Sequence, residues 1–376
     1  MDVYAELGVK KLINAWGPMT IVGGSRMRRE VLAAIASAGE AFVDLPELQR
    51  KAGQRIAELI GVEGCYIAGG CAAGLAIATA ACVAGTDPAK IARLPDTTGL
   101  KNEVVMQRSH RNTYDHAIRQ VGVKLVEIGL SRQTSAWELE AAINERTAAV
   151  VHVYARWTFD RGLQLPEVVR IAHGRGVPVL VDAAAEVPPL KNLRGLSETG
   201  ADIVVFSGGK GIMGPQNTGL VLCRPELVEA CAANGAPFHS LGRSMKVSKE
   251  EMVGIVKAVE LYLAQDHDAV YRRWEEQVAH VMRAVADAPG VRAIRDEASY
   301  SEGIPVAKLV VDERVAGKSA EALAAELLEG EPGVKVGQGR DWLVVNPQFL
   351  EPGEERVVAE RLRAALGVKE LAGARR

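Results

Sequence analysis

The sequence predicts an α/β protein with a seven-stranded, mostly parallel sheet covered by helices on both faces, followed by a small C-terminal α+β domain. Three observations predict it. Short β-branched runs alternate with longer alanine- and leucine-rich amphipathic stretches between residues 64 and 223. Those short runs are continuously apolar, which is the pattern of strands buried on both faces, as a parallel sheet covered by helices requires. After about residue 246 the texture changes to long helical spacing and then to a second, shorter mixture of strands and helices.

Taken in order, residues 1–45 read as an N-terminal arm: a loop at GPMTIVGGSR and two helices leading into the large domain. The strands of the large domain, 46–246, are GCYIAGG (64–70), EVVMQ (103–107), VKLVEIG (123–129), AAVVHVY (148–154), VPVLVD (177–182), DIVVFS (202–207) and GLVLC (219–223). Helical patterns such as AAGLAIATAACVAG, TYDHAIRQVG, SAWELEAAINE and LPEVVRIAHGRG separate most of them. The link before GLVLC is too short for a helical crossover, so this strand is expected to run antiparallel to its neighbour. Residues 247–376 read as one long connecting helix and a small domain built from VAKLVVDE, SAEALAAELLEG, WLVVNP and EERVVAERLRAALG.

The chain has 376 residues, 48% hydrophobic and 24% charged, with a formal net charge of -2, so it carries no basic field for a nucleic-acid backbone. Its five cysteines, Cys65, Cys71, Cys82, Cys223 and Cys231, form no CxxC pair and sit mostly in apolar contexts. They read as reduced thiols of a cytoplasmic protein, with neither a disulfide framework nor a metal site. No signal peptide and no apolar run of spanning length is visible, so no membrane partner is expected.

In an open α/β sheet, ligands bind outside the carboxyl ends of the strands, and four groups fall there. GGCAAG (69–74) opens a helix with small residues: either a cradle of backbone amides for a phosphate, or a tight turn that needs glycine. Asp182 closes VPVLVD as a carboxylate that must be paired if buried, or as a cap for a following helix. Lys210 lies in SGGKG as a partly desolvated amine able to react with a carbonyl, or as an exposed turn lysine; Ser207 stands three residues before it. The loop SHRNTYDHA (109–117) offers His110 to lie over a flat ring, with Arg111, Asn112, Tyr114 and His116 as further polar groups, or is an ordinary polar loop. An anion cradle, a planar group, a carboxylate and a lysine are together what pyridoxal 5'-phosphate requires.

The same residues carry a family resemblance. LGVKKLINAWGPMTIVGGS, FVDLPELQRKAGQRIAELIG, GGCAAGLAIATAACVAG, QRSHRNTYDHAIR, HGRGVPVLVDAAAEVPP, FSGGKGIMGPQNTGLVL and GRSMKVSKEE cover nearly the whole chain. The chain resembles the fold type I pyridoxal phosphate enzymes, within them the selenocysteine-synthase-like group of L-seryl-tRNA(Sec) selenium transferases and D-glucosaminate-6-phosphate ammonia-lyases. The resemblance implies Lys210 as the cofactor-holding base, Asp182 on the pyridine nitrogen, His110 over the ring, and Gly70, Cys71, Ala72 and Ser207 around the phosphate. A substrate carboxylate or phosphate calls for a cation, for which Arg26, Arg243, Lys246 and Arg340 are candidates, with Arg26 or Arg243 foremost and Arg340 beside Asp341 also readable as a solvated ion pair. The resemblance places Gln216, Thr218 and Arg243 at the site rim. It also implies a homodimer or higher homo-oligomer with the site at the interface. Two departures stand out: the short arm and near-neutral charge argue against tRNA, and Gly69-Gly70-Cys71 stands where the family turn often carries serine. The implied reaction is β-elimination of water and ammonia from a hydroxylated amino acid or amino sugar acid to give a 2-oxo acid. Racemase or aldolase chemistry on the same fold is the alternative, and a non-catalytic cofactor-binding scaffold the alternative of another class.

Overall fold

The computed structural model describes residues 2–368. The chain divides into two compact units: residues 26–265 with 299–301, and the residues up to Ser25 with 266–298 and those from Glu302 on. Among the described residues, strands β1 (Leu12–Ala15), β2 (Cys65–Ala68), β3 (Glu103–Gln107), β4 (Lys124–Ile128), β5 (Thr147–Val153), β6 (Val179–Asp182), β7 (Ile203–Ser207), β8 (Gly219–Cys223), β9 (Val291–Glu297), β10 (Pro305–Val311), β11 (Gly333–Gln338) and β12 (Trp342–Val345) form two sheets.

The large unit holds the seven-stranded sheet in the order β2-β8-β7-β6-β5-β3-β4. β8 runs antiparallel to both β2 and β7, and the other pairs are parallel, as the short link before GLVLC predicts. Side chains alternate between two cores. Val150, Val181, Val204 and Phe206 pack on one face with the helices Leu45–Ile60, Leu165–His173 and Lys249–Leu263. Val151, Leu180, Ile203 and Val205 pack on the other with the helix Cys71–Ala84. That helix is apolar all round and almost wholly buried, whereas the others show one apolar face, the difference between a helix inside a layer and one covering it. Leu45–Ile60 shows how sharply the chain marks such a helix: Asp44 accepts from the Glu47 amide at 2.8 Å, Pro46 sits in the first turn, and Gly61 ends it at φ 79°.

The second unit is a five-stranded sheet, β1-β11-β12-β10-β9, with a core of Val281, Leu309, Leu323, Val334 and Val345. β1 is parallel to β11, so residues before Ser25 group with this unit, while the helix Arg29–Gly39 groups with the large one; the arm expected over 1–45 is thus divided. The long helix expected after residue 246 is two helices, Lys249–Leu263 and His267–Ala284. Asp266 separates them by accepting from the Ala269 amide at 2.9 Å, a cap that starts a new helix inside an uninterrupted helical pattern. The unit boundary consequently falls at 265/266 and not at 246.

Candidate active site

Lys210 is held by a turn that only glycine can build. A Cβ on Gly208 would strike the Thr218 hydroxyl, one on Gly209 the Gln216 backbone, and one on Gly211 the Val187 carbonyl oxygen. The turn is therefore clasped between the 214–218 loop and the 187–188 segment. Gly208 N donates to the Thr218 carbonyl at 2.8 Å, Gly214 N to the Gly208 carbonyl at 2.9 Å and Met213 N to the Lys210 carbonyl at 2.9 Å. Met213 takes φ 59°, a left-handed conformation that costs a non-glycine residue about 1–3 kcal/mol and that the packed surroundings impose. From this frame one long side chain emerges, Lys210, half-buried, and its charge acts on Asp182 and on Cys71. Gly211→Ala is expected to cost about 1–3 kcal/mol, as overpacking against fixed backbone does, read as a lower urea midpoint.

Asp182 ends β6 between Val153 of β5 and Val205 of β7 and is 9% exposed. No helix follows it: the next begins at Asn192, so the cap alternative does not apply. Its Oδ1 instead accepts from the Ala184 amide at 3.1 Å and lies 3.8 Å from Cys71 Sγ. Burial pushes the carboxyl above its usual range; the Ala184 amide, the Lys210 charge and the Cys71 thiol oppose that shift without reversing it. Among the described residues no hydrogen bond reaches Oδ2, which leaves that oxygen for a ligand N–H.

Gly70, at φ 105°, precedes the helix Cys71–Ala84 and offers no side-chain cap, so the first amides, those of Cys71, Ala72 and Ala73, keep their donors at the positive end of the helix. The neighbouring glycines answer to packing. A Cβ on Gly69 would lie 2.6 Å from the Met245 carbonyl oxygen, and one on Gly219 would lie 2.5 Å from that of Gly70. Glycine is needed here for close approach, and the helix start is left without a side-chain cap. Ser207 pairs with Gly219 across β7 and β8, which brings it beside Gly70, and it is half-buried.

Of the remaining candidates, Gln216 and Thr218 are part of the clasp around the Lys210 turn. Thr218 is fully buried and spends its hydroxyl on the Pro215 carbonyl at 2.6 Å, and Gln216 is exposed in the same loop. Arg243 is exposed, two residues before Met245. Arg26 is exposed at the start of the large unit, and Arg340 belongs to the other unit. Arg111 is engaged with Asp115 at 2.5 Å and with Glu127.

His110 is 0% exposed, so no face of its imidazole is open in this conformation. Its Nδ1 accepts from the Val153 amide at 3.1 Å, and its ring meets His152 edge-on at 4.5 Å. His152 pairs with Val181, one residue out of step with Asp182, and therefore projects from the opposite face of the sheet. The sequence reading did not single out His152; a histidine inside the apolar run AAVVHVY was the available signal.

Among the described residues neither His110 Nε2 nor His152 Nδ1 has a partner in hydrogen-bonding geometry, and burial lowers both groups, His110 to about 4 from an ordinary 6.5 with the Arg161 backbone opposing. Two histidines kept neutral by folding supply stability that is complete above pH 6.5 and is lost as pH falls through about 4. The urea midpoint is expected to drop between pH 7 and pH 5, and by less in His152→Leu, which removes one of the two titrations.

An uncapped helix end, a buried carboxylate with one oxygen spoken for and a lysine whose charge reaches it are thus gathered at the carboxyl ends of β2, β6 and β7. A family model described as L-seryl-tRNA selenium transferase matches residues 78–273, over half the chain. The chain belongs to the L-seryl-tRNA selenium transferase family. Within reach of this family are two relatives of equal identity. The D-glucosaminate-6-phosphate ammonia lyase of Salmonella typhimurium is 35% identical over 370 residues, covering 96% of this chain and 97% of its own. The 5'-C-glycyluridine monooxygenase-decarboxylase of a Streptomyces species is 35% identical over 375 residues, covering 96% and 92%. A solved structure of D-glucosaminate-6-phosphate ammonia-lyase superimposes with a TM-score of 0.85 at 33% identity, covering 98% of both chains. The fold is fold type I, and members of this family on this fold are pyridoxal 5'-phosphate enzymes. The residues fit that cofactor: amides for the phosphate, Asp182 Oδ2 for the pyridine nitrogen, and Lys210 for the aldehyde.

Proposed function

We propose that the protein is a pyridoxal 5'-phosphate-dependent lyase that eliminates water from a hydroxylated amino acid or amino sugar acid, the dehydrated product then taking up water and releasing ammonia to leave a 2-oxo acid. The observation that carries this reading is the convergence of Lys210 and Asp182, joined to the identity and coverage shared with the ammonia lyase. When bound, the cofactor supplies an electron sink that acidifies the substrate's Cα–H. The amides of residues 71–73 hold its phosphate, with Ser207 beside them, and Asp182 keeps a proton on its ring nitrogen. Lys210 takes the Cα proton and returns one as the leaving group departs. Arg243 and Arg26, both exposed cations of the large unit, are the proposed contacts for the substrate carboxylate or a phosphate.

A second reading rests on the relative of equal identity whose name joins monooxygenation to decarboxylation. The two separate in one assay. Incubation with D- and L-hydroxy amino acids and amino sugar acids is expected to release ammonia and 2-oxo acid without oxygen uptake. Oxygen consumption with carbon dioxide release would instead favour the second reading.

The protein is further proposed to act as a cytoplasmic homodimer. Its cysteines are unpaired, no described helix is long and apolar enough to cross a membrane, and Phe42, Val43 and Leu32 stand exposed on one stretch of the large unit, apolar surface that a second copy would cover. Light scattering on the purified protein gives the subunit count.

A further inference from the structure

Cys71 occupies a position where the two ends of the cofactor site meet. It is the first residue of the helix Cys71–Ala84, so its amide belongs to the uncapped turn, while its sulfur lies 3.8 Å from Asp182 Oδ1 and 3.8 Å from the Val205 carbonyl oxygen. Both neighbours of the sulfur accept hydrogen bonds, so the thiol can only be the donor. Burial and the adjacent Asp182 charge raise the thiol well above its ordinary range, against the opposing pull of Lys210, and so keep its proton on. A neutral, buried thiol is a poor nucleophile and a serviceable donor.

We propose that Cys71 is a positioning residue whose S–H donates to Asp182 Oδ1 and, together with the Ala184 amide on the same oxygen, turns Oδ2 toward the ring nitrogen, while its side chain takes no part in holding the phosphate. This rests on the cofactor reading above.

The test compares pyridoxal 5'-phosphate with pyridoxal, which lacks the phosphate, as ligands of the apoprotein. Cys71→Ala is expected to weaken both by the same factor, about 3- to 10-fold, the range of one modest hydrogen bond. Cys71→Ser, which retains a donor, is expected to recover part of the loss for both ligands. In an Asp182→Ala background Cys71→Ala should change neither affinity further, because the acceptor is gone. A loss confined to pyridoxal 5'-phosphate would assign the thiol to the phosphate and overturn the proposal. So would an equal loss that persists in the Asp182→Ala background, which is the mark of simple packing, or no loss with either ligand. Wild-type protein that binds neither ligand would overturn the cofactor reading itself, and the proposal with it.

Discussion

Lys210→Ala is expected to lower turnover by at least about 10³-fold, since it removes both the amine that would hold the cofactor and the base at Cα. The fold should be kept. The glycine frame around residue 210 is held by backbone hydrogen bonds and by the packing of Gly208, Gly209 and Gly211, none of which needs the lysine side chain. Lys210 makes no hydrogen bond or ion pair among the described residues, but it is half-buried and its charge acts on the buried Asp182, so its loss should lower stability by about 1 kcal/mol without unfolding the chain. Steady-state kinetics with a urea titration of the same sample separates the two effects. A variant that keeps even a tenth of the activity would remove Lys210 from the chemistry.

The second large effect is at Asp182, where function and stability are expected to move in opposite directions. Its carboxyl is raised above the ordinary 3.8 chiefly by burial, so the folded protein binds that proton more tightly than the unfolded chain. The resulting stability is complete below 3.8 and is lost as pH rises through the raised value. Near neutral pH this buried carboxyl therefore costs the cofactor-free protein stability. Asp182→Asn removes that cost, and the cofactor-free variant should be at least as stable as the wild type near neutral pH. Turnover should fall by about 10²- to 10³-fold, the loss usual for one preorganised electrostatic contact. Unchanged turnover, or a variant that unfolds, would contradict the assignment. A buried carboxyl maintained against stability is the pattern of a site kept for chemistry.

Much of this arrangement was legible in the residues, for identifiable reasons. Six of the seven strands of the large sheet are buried along nearly their whole length and read as apolar runs, the exception being β4 at the sheet edge, and the short link before Gly219 betrays the antiparallel strand. β1 is a four-residue strand behind Lys10 and Lys11, and β9, VRAIRDE, is only half-buried; neither has the apolar density that marks a strand, and both went unread. The break at Asp266 is hidden because its cap lies within continuous helical spacing.

At the site, Asp182 and Lys210 were visible because strand ends and glycine turns advertise them. What side chains do after that depends on direction. His110 closes on His152 and Cys71 turns to Asp182, contacts between residues far apart in the chain that the order of residues does not encode locally.

The central claim is that Lys210 and Asp182 form a pyridoxal 5'-phosphate site. Borohydride reduction of the purified protein loaded with the cofactor, followed by peptide mass mapping, tests it most directly. The account predicts one pyridoxyl group per chain, fixed on the peptide that contains Lys210. No uptake of the cofactor, or fixation on another lysine, would contradict it.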